Sequence, residues 1–213
     1  EVTYIPISAL LGDNISSSSA NMRWYDGPTL ENYLQHCQPV LTNLPFVRFS
    51  VQFISDADQK LCYGKLISGS IKINDEVKVA TRQANGRILR IINGYTDVTE
   101  AHAGQNICVA IESQSQLTRG DLISTRNLPL FSNLLSVKLC WVDEAPLEIG
   151  KKYILRINSF ETECTIKRIE HAINVNTFDL LNTNSILLPN EFAKVQIETV
   201  QVVAHDLYND IPE

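Results

Sequence analysis

From Val47 onward the chain alternates. Val47, Phe49, Val51 and Phe53 are apolar and are separated by Arg48, Ser50 and Gln52, the period-2 pattern of a strand with one covered and one wet face. Short runs of the same kind follow, with turn-forming residues between them: Ser68-Gly69, Asn74-Asp75 between Ile71-Lys72-Ile73 and Val77-Lys78-Val79, Asn85-Gly86 ahead of 87–92, and Asn93-Gly94. Asn and Gly accept the positive φ that a tight hairpin needs. With 105–111 and 121–125 the count reaches about six strands in roughly 80 residues, the spacing of a small antiparallel barrel.

A linker at Asn127-Leu128-Pro129-Leu130 leads to a second β set. Val137, Leu139 and Trp141 alternate with Lys138 and Cys140, and Tyr153, Leu155 and Ile157 with Lys152, Ile154 and Arg156. Cys164, Ile166 and Ile169 fall in another strand. Val195 and Ile197 alternate before a phase slip near Thr199, ahead of Val200 and Val202, that predicts a bulge. About five strands result. A barrel that stops there leaves an exposed edge, so either the chain is cut at its carboxyl end or the first barrel covers the edge.

The opening residues read differently. Val2 to Ile7 is an apolar run that predicts a strand, Ser8 to Asn14 a loop, and Ser16 to Asn21 further loop. Gly27-Pro28-Thr29-Leu30 then starts a short amphipathic helix over 28–37, with Leu30, Tyr33, Leu34 and Cys37 at helical spacing. A strand apolar on both faces belongs inside a helix-covered sheet, and the chain supplies no second α/β unit to cover it. Residues 1–38 therefore read as the end of a larger α/β domain, followed by barrels at 45–126 and 132–213, the last one either truncated or covered at its edge by the first.

Composition agrees. Ile (22), Val (15) and Thr (13) give the chain a heavy β-branched load, while Gly (9) and Pro (8) are spaced punctuation. With 44% hydrophobic and 20% charged residues the chain is not disordered. No apolar run is long enough to span a membrane and no signal segment opens the sequence, so a soluble, cytoplasmic protein is expected. Net charge is −6, and only 46–126 is basic, with ten bases against eight acids. Lys72, Lys78, Arg82, Arg87 and Arg90 cluster there, yet so small an excess is a solvated barrel face rather than a nucleic-acid footprint.

The five cysteines, at 37, 62, 108, 140 and 164, carry neither a CxxC knuckle nor a dense disulfide spacing, so buried reduced thiols are expected. His36 beside Cys37 is an accidental neighbour, because adjacent helical residues point different ways. No metal site is expected. Asp143-Glu144 and the Asp56, Asp58 pair sit in polar loop contexts and receive no acid–base role. Trp141 and Tyr153 lie on the apolar phases of their strands and are assigned to the core, not to ligand stacking.

Specific motifs carry a resemblance. Ser8-Ala9-Leu10 with Gly12-Asp13-Asn14, then Asn21-Met22, Trp24-Tyr25 and Gly27-Pro28-Thr29-Leu30, resembles the end of the GTPase domain in elongation factor Tu-like translational GTPases. Ala101 to Ile107 with Arg119-Gly120-Asp121-Leu122 resembles the second-domain barrel of that superfamily. Arg48 to Gln52, Tyr63-Gly64, Ser68 to Lys72, Trp141, Pro146-Leu147, Gly150, Tyr153 and Asn176-Thr177 are similar to the GTP-hydrolysing large subunit of bacterial sulfate adenylyltransferase. Asn74 stands where that family usually has Gly, and the family's strands after Asp206, Tyr208 and Asn209 are missing.

The resemblance implies a mainly β fold, with two consecutive antiparallel β-barrels like domains 2 and 3 of elongation factor Tu, preceded by a strand–helix remnant of an α/β GTPase domain. It implies a parent protein that couples GTP hydrolysis to the formation of adenylyl sulfate from ATP and sulfate. Its partners would be a small catalytic subunit and the GTPase domain of the same chain, with neither membrane nor nucleic acid. Ser8, Ala9 and Leu10 would be the guanine-side loop, with GTP as the parent's cofactor. The rest of the phosphate machinery is not in the sequence: it contains no GxxxxGK[ST] loop and no Asn-Lys-x-Asp motif. No catalytic residue is assigned, and these residues alone are expected to be inactive. The alternative is a pair of elongation-factor barrels that bind aminoacyl-tRNA.

Overall fold

The computed structural model describes residues 2–37, 44–55, 61–125, 127–173, 180–181 and 186–208. The chain divides into two compact units, 1–41 and 42–213.

In the first unit, Val2 to Ile7 does not form a strand. A strand needs a neighbour to bond, and this segment finds none among the described residues; Val2, Tyr4 and Ile7 lie exposed instead. A 3₁₀ turn at Ala20–Met22 precedes helix α1, Leu30–His36. Thr29 caps α1 by accepting a hydrogen bond from the Asn32 amide, so Pro28 lies one residue outside the cap rather than at the first helical position.

The second unit holds sixteen strands among the described residues. The first nine are β1 (Arg48–Ile54), β2 (Leu61–Ser68), β3 (Ser70–Lys72), β4 (Glu76–Val79), β5 (Ala84–Asn93), β6 (Thr96–Val98), β7 (Glu100–His102), β8 (Asn106–Ser113) and β9 (Leu122–Ser124). Six of them form a closed antiparallel barrel in the order β4-β9-β1-β2-β8-β5, which returns to β4. β6 extends β5 as a hairpin and β3 pairs with β7. Phe49, Val51, Leu66, Ile71, Val79, Ile88, Ile91, Val109 and Ile123 fill the interior.

Two details depart from the sequence pattern. Asn85-Gly86 is not a turn but lies within β5, opposite Lys78 and Val77. The reversal falls at 80–83, where Gln83 takes the left-handed conformation at φ 53°. The β1 phase also breaks: a register shift between Val51 and Phe53 turns Phe53 outward against Tyr63, their rings 5.8 Å apart. Arg48 and Ser50, expected on a wet face, are 2% and 4% exposed, because the second β body covers them.

The remaining strands are β10 (Leu130–Cys140), β11 (Leu147–Glu148), β12 (Lys152–Ile157), β13 (Phe160–Ile173), β14 (Leu180–Leu181), β15 (Ile186–Leu187) and β16 (Phe192–His205). They form a sheet in the order β10-β16-β13-β12, with β14 on β13 and a β11–β15 ribbon beside it. No pairing joins β10 to β12 among the described residues. The expected bulge is present: between Ser132 and Leu134 the partner on β16 jumps from Val203 to Glu198, and the Thr199 hydroxyl donates to the carbonyl of Gln201 within the bulge. Leu135, Ile166, Leu187, Val195, Ile197 and Val203 are the core, with Trp141 and Tyr153 packed against it edge to face at 5.4 Å.

Candidate functional site

The structure places Ser8, Ala9 and Leu10 in a tight reversal. The Ser8 amide donates to the Asp13 carbonyl at 3.2 Å, and the Gly12 amide returns to the Ser8 carbonyl at 2.8 Å. Gly12 (φ 75°) and Asn14 (φ 54°) supply the left-handed residues that such a reversal needs. Asn14 is the anchor. Its side chain, 2% exposed, donates to the Pro6 carbonyl and accepts from the Ser19 amide, while its carbonyl accepts from the Leu30 amide at 2.9 Å. Asp13 accepts from Ser19 and Asn21.

The loop is thereby tied to both the 3₁₀ turn and the start of α1. Ala9 and Leu10 project outward from it, Leu10 being 94% exposed, and no hydrogen bond within the described residues takes up their amides. Trp24 is exposed and meets Tyr25 edge to face.

The second unit contains a denser polar arrangement that the sequence pattern did not single out, at the contact between the closed barrel and the second sheet. Arg48, on β1, sends Nε and Nη2 to the two oxygens of Asp206 and Nη1 to the carbonyls of Val47 and Asn127, while Phe46 lies under its guanidinium at 4.6 Å. Four of its five N–H groups have partners among the described residues, as burial of a charge requires. Asp121, 4% exposed, accepts from Thr81 Oγ1, Arg82 Nε and the Thr118 amide. Next to it Gly120, at φ 90°, brings its backbone against Phe160 of β13.

The clustered bases are largely neutralised. Lys72 pairs with Glu100, Arg82 with Asp121 and Arg90 with Asp97. The Arg90 guanidinium holds the Asp97 carboxyl below its usual range. Cys62, Cys108 and Cys164 are buried, but Cys37 and Cys140 are exposed, correcting the expectation that all five are inside. Burial beside Cys108 pushes the Cys62 thiol up to about 11. The His36 ring donates from Nδ1 to the Asn32 carbonyl, and no group of three metal-binding side chains exists among the described residues. Asp143 caps the Ala145 amide in a loop, and Asp56 and Asp58 lie outside the described residues, as do Asn176 and Thr177.

A mainly β chain with a closed six-stranded barrel, a second antiparallel sheet, and a polar joint between them has counterparts among known proteins. Residues 135–213 match the family model described as GTP-eEF1A C-terminal domain-like. Over its whole length the chain is similar to sulfate adenylyltransferase subunit 1. That protein from Citrobacter koseri is 31% identical over 218 residues, covering 100% of this chain and 45% of its own length. The bifunctional enzyme NodQ of Rhizobium sp. is 34% identical over 209 residues, covering 96% of this chain and 32% of its own. The chain thus spans less than half the length of these relatives.

Among solved structures, sup35 complexed with GDP superposes with a TM-score of 0.75 at 17% identity, covering 99% of this chain and 53% of that one. Translation elongation factor SelB from Methanococcus maripaludis does so at 0.66 and 16% identity, covering 84% and 40%. At such identities the likeness establishes the fold. Among the described residues no helix is long and apolar enough to cross a membrane.

Proposed function

We propose that residues 45–126 and 132–213 are the non-catalytic barrel region of a GTPase subunit of sulfate adenylyltransferase. In this reading the parent protein couples GTP hydrolysis to formation of adenylyl sulfate from ATP and sulfate. The barrels hold the GTPase domain and present a surface to a small catalytic subunit. Residues 1–38 are the end of the GTPase domain, and Ser8, Ala9 and Leu10 its guanine-side loop. The observation that carries the reading is the chain-long likeness to sulfate adenylyltransferase subunit 1.

Two features of the first unit support the role of the loop. The amides of Ala9 and Leu10 have no partner among its described residues, and the large apolar side chains of Val2, Tyr4, Leu10, Leu11, Trp24 and Leu34 are exposed. One loop does not hold a nucleotide without a phosphate loop and a magnesium anchor. The protein is therefore expected to bind GTP no better than millimolar, about −4 kcal/mol or weaker. Titration calorimetry tests this, and micromolar binding would refute it.

The second reading, a pair of elongation-factor barrels for aminoacyl-tRNA, has the solved structures in its favour. Charge weighs against it, since phosphate contacts dominate such affinity and Lys72, Arg82 and Arg90 of the first barrel are each paired with a carboxylate. Filter binding to tRNA at low salt separates the two: salt-dependent retention supports the elongation-factor reading, and its absence the sulfurylase reading.

A further inference from the structure

A concavity of about 1270 Å³ opens on the first barrel where β9, β4 and β5 lie side by side. Three of its residues form a row across three strands, for Ser124 pairs in register with Lys78 and Lys78 with Asn85. Their neighbours Ile123, Val77, Val79 and Ala84 point into the barrel core. Alternation therefore turns Ser124, Lys78 and Asn85 to the opposite face, with Cβ atoms of directly opposed residues about 4.5–5.5 Å apart.

Each member of the row lacks the partner its chemistry calls for. Ser124 is fully buried, yet its hydroxyl makes no hydrogen bond among the described residues, a rare condition for a buried polar atom. Among the described residues Lys78 has no ion pair, although Lys72, Arg82 and Arg90 of the same barrel each have one. The Asn85 side chain makes no hydrogen bond among the described residues, and its backbone carbonyl accepts from the Gln114 amide.

The carboxylates of the concavity stand elsewhere. Glu76 and Glu112 oppose Arg87 from either side, and Asp75 accepts from the Lys72 amide. The Lys78 charge is opposed in register by neutral groups alone.

We infer that Ser124, Lys78 and Asn85 form a binding site for a tetrahedral oxyanion, the phosphate or sulfate group of a ligand. Three donors from three strands, a hydroxyl, an ammonium and an amide, stand side by side in one register row, and a tetrahedral anion offers enough oxygens to satisfy all three. The concavity exceeds what a single anion fills, so the body of the ligand extends toward Glu76 and Glu112. These lie about 7 Å along the strands and accept hydrogen bonds from it.

The test is an amide chemical-shift titration of the protein with inorganic phosphate, and separately with inorganic sulfate, at ionic strength held constant with sodium chloride. Shifts concentrated at Lys78, Asn85, Gly86 and Ser124 are expected, and the anion that binds more tightly names the group. Lys78→Gln should weaken binding at least fivefold. Ser124→Ala should weaken it too while leaving the melting temperature unchanged or higher, because it removes a buried hydroxyl that has no partner in the free protein. Shifts spread equally over Arg119 and Lys138, or variants that bind as well as the parent protein, would overturn the inference and leave an adventitious ion only.

Discussion

Arg48 and Asp206, 158 positions apart in the chain, meet in a two-point ion pair: Nε donates to Oδ2 at 2.8 Å and Nη2 to Oδ1 at 2.7 Å. Arg48 is 2% exposed there and Asp206 19%. A planar fork matched to a carboxylate in a nearly dry place fixes position as well as charge. This pair ties the first strand of the closed barrel to the end of the second sheet.

Breaking that pair from one side leaves a buried charge without compensation. Asp206→Ala is expected to lower unfolding stability by about 3 kcal/mol, and Arg48→Met by clearly less, since it removes the buried cation itself. Urea unfolding of both variants measures this. Equal losses would show that desolvation of Arg48 does not govern the contact.

Asp121 gathers Thr81, Arg82 and Thr118 around one buried carboxylate. Asp121→Ala strands these donors and should cost about 2–4 kcal/mol, whereas Thr81→Ala, which removes a single donor, should cost about 1 kcal/mol. Denaturation midpoints of the two proteins decide it.

Two glycines should behave differently. A side chain at Gly64 would collide with the Ser50 carbonyl across β1 and β2, so Gly64→Ala is expected to cost about 3 kcal/mol. At Gly94 the space is open and only the left-handed backbone, φ 62°, resists, so Gly94→Ala should cost about 1 kcal/mol. Comparable losses at both positions would contradict the close approach at Gly64.

Alkaline pH should weaken the fold through Cys62. Its thiol is raised from 9.0 to about 11 in the folded protein, chiefly by burial, and ionises more easily once unfolded. The stability it contributes is fully present below pH 9 and is lost as pH rises through about 11. Cys62→Ala should flatten the pH dependence in that window, as thermal melts across it would show. At pH 8 a thiol reagent should modify Cys37 and Cys140 in the native protein and spare the other three, the buried thiols.

What the sequence determined by itself was local. Period-2 alternation is written into neighbouring residues, so the mainly β class, the strands around Ile71 and Val77, and the bulge at Thr199 were legible. The spacing from Leu30 to Cys37 likewise announced a short helix, and the motif around Ser8, Ala9 and Leu10 was readable as a loop.

The tertiary structure alone decided the rest, because it depended on residues far apart in the chain. Val2 to Ile7 had the composition of a strand but no partner to bond. Asn85-Gly86 had the chemistry of a turn, but lengthening β5 satisfied more backbone groups. Arg48 was read as the wet face of β1, since only the fold brings Asp206 and Asn127 over it and makes a surface cation a buried joint. Ser124, unremarkable in sequence, became an unpartnered hydroxyl only when β9 paired with β4 and set it beside Lys78. Alternation dictates which residues point together, whereas contact across 158 positions decides what they meet.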